Sequence, residues 1–184
     1  ANGMFAFSNF YEELGINGNV SIKDFYINNF LIGDIDAATF LIDNKINLEL
    51  SNFRDEKKVI SLEGFLNNED DAISLKANLN DANISILEPF LSNYLTQMGG
   101  TINGDLDISG TINSPIVLGS ARVNGGTLKI NYLNTFYTID GNLVFGSNEI
   151  SFRELLLKDI NGNLARMRGG ITHDRFQEFL LDIS

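Results

Sequence analysis

Residues 101–112 read Thr-Ile-Asn-Gly-Asp-Leu-Asp-Ile-Ser-Gly-Thr-Ile, and this stretch shows the pattern from which the fold is predicted. Its even-numbered positions hold Ile, Gly, Leu, Ile, Gly and Ile, whereas its odd-numbered positions hold Thr, Asn, Asp, Asp, Ser and Thr. Successive side chains of a β-strand point to opposite faces of the sheet. A period of two therefore predicts a strand with one apolar face and one polar face.

The same alternation recurs through most of the chain. It is found at Ile46/Leu48/Leu50, Ile60/Leu62, Ile73/Leu75/Ala77/Leu79, Leu128/Ile130/Tyr132, Leu143/Phe145, Ile150/Phe152, Leu155/Leu157 and Phe179/Leu181/Ile183. Turn-forming residues separate many of these runs. Asn-Gly, Asp-Gly and similar pairs favour hairpin turns, because they accept the positive φ that these turns need. The predicted hairpin tips are Asn17-Gly18, Asn67-Asn68, Gly125-Gly126, Asp140-Gly141, Gly146-Ser147-Asn148 and Asn161-Gly162.

The alternation predicts a mostly β protein of about a dozen antiparallel strands in up-and-down order. A sandwich, a barrel or a single curved sheet would each satisfy it. Central strands of a sandwich often hold one continuous apolar run. Here such runs are short and few, the clearest being residues 30–32, 116–118 and 155–157. We therefore expect an elongated, open, curved sheet.

Two segments have helical instead of strand spacing. In residues 87–98 the apolar side chains fall at 87, 90, 91, 94, 95 and 98, which is one face of a helix. Pro89 suits the first turn and Gly99 suits the C-terminal end. A shorter helix is predicted near the N-terminus, where apolar side chains recur at helical spacing and Gly15 ends the run. Its members are Phe7, Phe10, Tyr11 and Leu14.

Each predicted helix precedes a glycine-rich start of a β run, which suggests weak sub-repeats at residues 1–98 and 99–184. No linker or low-complexity segment separates them, so residues 1–184 are expected to form one continuous body. The chain begins Ala-Asn-Gly-Met-Phe, without a leading Met. We expect it to be a fragment of a longer protein.

Composition excludes several classes of function. The chain has 184 residues, a net charge of −11, no Cys, no Trp and a single His. An acidic chain is a poor partner for nucleic acid, whose phosphates need a basic surface. The absence of Cys excludes thiol catalysis, and His173 has no Gly-x-Ser-x-Gly elbow to accompany it. No P-loop or Rossmann fingerprint is present, so we expect neither an enzyme nor a cofactor.

Two acidic pairs at alternating spacing, Asp34/Asp36 and Asp105/Asp107, place their carboxylates on one strand face. They could bind calcium, but no EF-hand-like loop completes the coordination. We interpret them as solvated charges on the outer face, and expect no metal site.

The C-terminal half carries an ordered set of short motifs. They are Ile-Ser-Gly-Thr-Ile-Asn-Ser-Pro at 108–115 with Gly119, Gly126-x-Leu128, Leu-Asn-Thr-Phe-Tyr at 133–137, Asn-Glu-Ile-Ser-Phe at 148–152, Lys-Asp-Ile-Asn-Gly-Asn-Leu-Ala at 158–165, and Gly-Gly-Ile-Thr-His-Asp-x-Phe at 169–176. In order and spacing this set resembles the C-terminal region of the TamB family, the translocation-and-assembly-module proteins of the AsmA-like superfamily. The resemblance covers residues 99–184. Family members continue beyond the last motif, whereas this chain stops at Ser184.

The resemblance implies a β-taco, a long sheet bent along its axis with an open apolar groove inside. TamB-like proteins are anchored in the inner membrane, cross the periplasm and meet an outer-membrane β-barrel partner, TamA or a relative. They are implicated in moving phospholipid between the two membranes. On this basis phospholipid acyl chains are the expected ligand, and we predict that the groove is lined by Ile46, Leu48, Ile60, Leu62, Ile102, Leu106, Ile108, Ile112, Leu128, Ile130, Leu143, Phe145, Ile150 and Phe152.

Other interpretations stay open at this point. The apolar residues of the predicted helix could plug the groove or form permanent core; they are Leu87, Phe90, Leu91, Tyr94, Leu95 and Met98. Unpaired strand edges predict self-association of the chain. They could also hold a substrate strand, as in a scaffold for outer-membrane protein assembly. A surface adhesin or a polysaccharide-acting β-helix enzyme is a third class. The lack of Trp disfavours the enzyme, because such enzymes use exposed aromatic platforms.

Overall fold

The structure, a computed structural model, describes residues 1–8, 15–27, 30–42, 44–174 and 177–183. Within these ranges, twelve strands form one antiparallel sheet in which every strand pairs with its neighbours in sequence. The sheet is curved and unclosed, which confirms the predicted fold class. The strands are β1 Asn2–Ser8, β2 Gly15–Ile27, β3 Phe30–Ile42, β4 Lys45–Arg54, β5 Lys57–Asn67, β6 Ile73–Asn83, β7 Leu95–Thr111, β8 Ser114–Ile130, β9 Thr135–Phe145, β10 Glu149–Asp159, β11 Leu164–Asp174 and β12 Gln177–Ile183.

Register turns the alternation of single strands into two continuous faces. Residues that pair across an antiparallel ladder share a face of the sheet. Leu62 pairs with Leu50 on one side and Ala77 on the other, and Ala77 pairs in turn with Leu106. We call this side the apolar face. The opposite side, which carries Glu63 and the other charged neighbours of these residues, is the polar face.

Among the described residues, one helical segment interrupts the strands. A short 3₁₀ helix, Ile84–Leu87, is followed by α1, Glu88–Leu91, and together they form the helical insert (residues 84–91). The side chain of Asn83 caps its start by accepting from the backbone N–H of Ser85 at 2.8 Å. The insert contacts β7 and reaches across to β3, so it lies over the apolar face at one end of the strands.

The most buried part of the molecule lies beneath and beside this insert. It joins residues from β5 to β8 with one residue of the insert, and it is surrounded by partly buried side chains of β5, β6 and β9. Its buried members are Val59, Ala82, Ile84, Ile102, Ala121 and Val123, and its partly buried members are Ile60, Leu79, Ile139, Leu143 and Phe145.

The predicted helix at 87–98 is wrong in extent. Helical structure ends at Leu91, and β7 begins at Leu95, which pairs with Ile130. The physical reason is that long-range pairing with β8 outcompetes local helical spacing. A register shift after Thr96, where Gln97 has a φ of +54°, lets the strand absorb the irregular pattern.

The N-terminal helix prediction falls mostly on residues 9–14, which lie outside the described residues. Its first member, Phe7, belongs to β1 and pairs with Ile16. The junction between the expected sub-repeats, residues 98/99, lies inside β7, which pairs with both β6 and β8.

Three of the predicted hairpin tips are correct and three are wrong. Turns occupy the predicted positions after β5, after β9 and between β10 and β11. Asn17-Gly18, Gly125-Gly126 and Asp140-Gly141 instead lie inside strands β2, β8 and β9. The strands are longer than the turn-forming pairs in the sequence suggest. Some of these glycines lie inside strands, at places where the pairing is irregular. Gly125, for example, has a φ of +52° at the register shift between Val123 and Gly126.

Two glycines let neighbouring strands approach closely on the apolar face. Gly64 has a φ of +146° and Gly119 a φ of +138°, a region essentially restricted to glycine. A side-chain carbon at Gly64 would collide with the carbonyl of Ser74, and one at Gly119 with the carbonyl of Asp105. Glycines of this kind permit strong local bending of strands, as a curved sheet requires.

Candidate functional site

The candidate site is the apolar face, and all but one of the predicted lining residues lie on it. They come from six strands that register brings side by side. These residues are Ile46 and Leu48 of β4, Ile60 and Leu62 of β5, Ile102, Leu106 and Ile108 of β7, Leu128 and Ile130 of β8, Leu143 and Phe145 of β9, and Ile150 and Phe152 of β10.

Ile112 is the exception, and its assignment to the lining is wrong. The ladder between β7 and β8 ends at the pair Thr111 and Ser114. Ile112 and Asn113 therefore form the two-residue turn, and Ile112 is 55% exposed. The alternation in the sequence simply runs one step past the end of the strand.

Burial divides the lining residues into two groups. Ile102, Leu128 and Phe152 are buried, whereas the other residues of the lining on this face are half-buried. Large apolar side chains in a sealed core are mostly buried completely. A half-buried apolar face keeps the capacity to bind further apolar surface.

An unbroken row of small and apolar residues crosses the apolar face. Each member pairs with the next, so the row runs through every strand from β1 to β12. We call it the central row: Gly3, Val20, Ala37, Leu50, Leu62, Ala77, Leu106, Gly119, Phe145, Ile150, Ile171 and Leu181.

Sequence reasoning missed several members of this row. Of its twelve members, four were among the predicted lining residues, namely Leu62, Leu106, Phe145 and Ile150. The eight that were missed are Gly3, Val20, Ala37, Leu50, Ala77, Gly119, Ile171 and Leu181. Glycine and alanine interrupt the apolar alternation of their strands, so the pattern there is weak. Their position follows only from pairing with strands whose alternation is strong, and pairing is a long-range property.

The helical insert seals one end of the apolar face. Ile84, only 3% exposed, joins the buried cluster beside Val59 and Ile102. The cavity left between the insert and strands β3–β5 is about 10 Å³, about the minimum that one water molecule needs. Of the residues predicted to plug the groove, Leu87 and Tyr94 are exposed, and Leu95 and Met98 belong to β7.

Two buried polar side chains fix the geometry of this sealed end. Glu88, 7% exposed, accepts the backbone N–H groups of Gln97 at 2.7 Å and Met98 at 3.0 Å. Asn52 donates from Nδ2 to the carbonyls of Ile32 at 3.2 Å and Asp34 at 3.1 Å. Each satisfies backbone groups where the strand ladder is irregular, which a buried backbone requires.

Charged side chains of the polar face are partly paired. Lys23 donates to Asp34 at 2.6 Å, and Lys57 donates to Asp81 at 2.7 Å. The hydrogen bond from Lys23, followed by that from the backbone N–H of Asp24, lowers the pKa of the Asp34 carboxyl below its usual value. Asp105 accepts from Asn78 at 2.8 Å. Within the described ranges, no three acidic or imidazole groups are arranged to hold a metal ion.

His173 is buried in β11, and its backbone N–H donates to the carbonyl of Asn148 at 2.9 Å. This contact ties the end of β11 to the turn before β10.

Comparison of the chain with known protein families, with curated proteins and with solved structures gives no match. In the part of the chain that the structure describes, no helix has the length and mean hydropathy needed to span a bilayer.

Proposed function

We propose that this chain is a periplasmic segment of a bridge that conducts phospholipid between the inner and outer membranes along its apolar face. The central row carries the proposal. It offers small or apolar residues at the same level on all twelve strands. On the TamB resemblance, the whole protein is anchored in the inner membrane and meets a TamA-like β-barrel in the outer membrane.

The spacing of the strands suits a sliding acyl chain. Neighbouring strands lie about 4.8 Å apart, so a path across the sheet from β1 to β12 is about 50 Å long. Each strand presents a similar apolar step, and no step is a closed pocket. Polar head groups would stay in water beside the open side of the sheet.

Partial burial keeps the binding energy in a useful range. Burying one methylene group contributes about 0.8 kcal/mol, so complete burial of a 16-carbon chain would contribute about 12 kcal/mol. Binding of that strength would hold the lipid in place. On a half-buried face each carbon loses only part of its contact with water, so entry is favourable and movement between steps is not blocked.

The sealed end helps to define the path. The insert packs over Ile102. Leu106 lies four residues further along β7, beyond the insert, and is half-buried. We therefore place the lipid along the central row, and assign Ile102 and its buried neighbours to supporting core.

Native mass spectrometry of the purified chain tests this function. We expect bound phospholipid in the unmodified protein and its loss in Leu106→Arg, because a guanidinium would stand in the middle of the central row. Ser120→Arg is the matched control, since it adds the same charge on the polar face of the neighbouring strand, where Ser120 is exposed. Circular dichroism would verify that both variants keep the β fold.

A clean protein mass would contradict the proposal if no lipid were acquired from added vesicles. Equal lipid retention by Leu106→Arg and Ser120→Arg would also contradict it. In cells, a folded Leu106→Asp variant should fail to support growth under outer-membrane stress, and normal growth would count against lipid passage through this row.

A scaffold for outer-membrane protein assembly is the second candidate. One observation favours it: among the described strands, β1 and β12 each pair on one side only, which leaves backbone groups open to an added strand. A β-strand peptide bound in place of acyl chains, by the same mass measurement, would put this function first. Self-association of the chain through the same edges would appear as dimer masses.

A further inference from the structure

The polar face contains a pocket of about 440 Å³ that spans β8 to β11. Three of its lining residues are arginines, Arg122, Arg153 and Arg166, each from a different strand. The chain holds only six arginines, so half of them meet at this one place. Val144 and Leu156 supply apolar wall between them.

Local backbone geometry creates the pocket. The ladder of β10 shifts register between Phe152 and Leu155, which are both buried. The two residues in between, Arg153 and Glu154, are therefore both exposed on the polar side. A regular strand would have turned one of them towards the apolar face.

Neutral partners orient one of the arginines. Arg122 donates from Nε to Oδ1 of Asn124 at 3.1 Å and from Nη1 to Oδ1 of Asn142 at 3.2 Å. Amide oxygens hold the guanidinium in position without cancelling its charge. Its remaining N–H groups stay available to an acceptor in the pocket.

Acidic side chains neutralise the pocket only in part. Glu154 lies 3.5 Å from Nε of Arg166, and Asp140 accepts the backbone N–H of Gly125 at 2.7 Å. Two carboxylates thus stand against three guanidiniums. Among the described residues, Arg153 has neither an ion pair nor a hydrogen bond from its side chain.

We propose that this pocket binds an organic phosphate, with Arg122 and Arg153 donating to the phosphate oxygens and Val144 and Leu156 contacting the carbon skeleton. Guanidinium groups suit phosphate because their planar fork donates two parallel hydrogen bonds. The pocket is on the opposite side of the sheet from the apolar face, so it is independent of what the apolar face binds. The phosphate could belong to a soluble compound or to the head group of a phospholipid.

Isothermal titration of the full chain with glycerol 3-phosphate tests the pocket. We expect saturable binding, weakened about tenfold in Arg153→Gln, because one charge-assisted contact is lost. Lys158→Gln is the matched control: it removes the same charge from the same strand and face but does not line the pocket. It should change the affinity by less than about twofold, as expected for a distant, screened charge.

Vesicles separate the two sources of phosphate. If the natural ligand is a head group, the chain should sediment with vesicles containing phosphatidylglycerol, and Arg153→Gln should abolish this. If it is a soluble compound, glycerol 3-phosphate binds and vesicles do not compete. The proposal fails if neither probe binds, or if Arg153→Gln and Lys158→Gln weaken binding equally, because the effect would then be one of general charge.

Discussion

The sheet is built in one way throughout, but its two regions differ sharply in charge. Residues 1–113, which contain β1 to β7, hold 6 basic and 17 acidic side chains, and so carry a net charge of −11. Residues 114–184, which contain β8 to β12, hold 7 of each and are neutral. The entire net charge of the chain therefore belongs to the first region.

Part of the difference lies on the polar face, whereas the central row passes through both regions without a change of character. In the first region, acidic side chains such as Asp34 and Asp81 pair with lysines. In the second, arginines surround a pocket, and Val144 and Leu156 are exposed among them. The apolar face thus has one common property, while the polar face differs along the molecule in the partners that it can attract.

The two regions share strand bending at glycine, and substitutions of these glycines should lower stability more than any other change considered below. Gly64→Val in the first region and Gly119→Val in the second should each destabilise the fold by at least about 3 kcal/mol, because both the backbone conformation and the space exclude a side chain. Urea unfolding would measure the loss. A free-energy change below about 1 kcal/mol in either would show that bending there does not need glycine.

Gly125→Ala is the control for these variants. Gly125 also has a positive φ, of +52°, but the space that an added side-chain carbon would occupy there is open, with no atom within 4 Å. Its expected cost is about 1 kcal/mol, from the left-handed conformation alone.

Truncation of apolar side chains should cost more stability in the buried part of the apolar face than in its half-buried part. Ile102→Ala should cost about 3 kcal/mol, because Ile102 is part of the buried cluster under the helical insert. Leu106→Ala should cost about half as much, since its side chain already contacts water. Equal losses in urea unfolding would mean that the central row is ordinary core, and the lipid path would lose its support.

A smaller effect is expected at the sealed end. Glu88→Gln keeps one acceptor for the amides of Gln97 and Met98 but loses the charge-assisted hydrogen bond, which should cost about 1–2 kcal/mol. Amide hydrogen exchange should accelerate at Gln97 and Met98. Unchanged exchange at both would show that Glu88 does not hold the insert onto β7.

The smallest changes are expected in the pKa values of two carboxyls, Asp81 in the first region and Asp159 in the second. Lys57, with help from Asn103, lowers the pKa of Asp81, whereas the side chain and backbone N–H of Asn163 lower the pKa of Asp159. A depressed folded-state pKa contributes stability above the usual carboxyl value, and that contribution is lost as the pH falls through the folded-state pKa. Carboxyl NMR titrations should therefore give midpoints below the usual value at both residues.

Salt should distinguish the two carboxyls. Added salt should raise the pKa of Asp81 towards its usual value, because the main cause of its lowered pKa is a charged lysine. Salt should change the pKa of Asp159 less, because its main partner is the neutral Asn163. Lys57→Gln should have the same effect as salt on Asp81. A salt response of equal size at both carboxyls would contradict this assignment of causes.

Much of the fold follows from local pattern, but its boundaries depend on pairing between distant residues. The alternation in residues 101–112 identified the apolar face correctly up to the point where the ladder ends, and failed only at Ile112. The apolar spacing of residues 87–98 fits a helix, but Leu95 pairs with Ile130, so a strand begins there instead. A single sequence does not reveal such partners.

The arginine pocket could not be predicted for a related reason. Arg122, Arg153 and Arg166 are far apart in sequence, and none of them stands out within its own strand. The bulge at Arg153 and Glu154 has no clear signal in the sequence, because the flanking residues Phe152 and Leu155 resemble the ends of two separate alternating runs. Only the register across four strands brings these side chains together.

The strand order also bears on how the sheet assembles and on how many strands it can contain. Since each described strand pairs with its neighbours in sequence, the sheet can grow by one hairpin at a time, in chain order. Each new hairpin finds its partner already in place and adds one more pair of residues to the central row. A protein of this design can be lengthened or shortened by whole hairpins without changing the rest of the sheet. The distance that the sheet spans can therefore change readily in evolution.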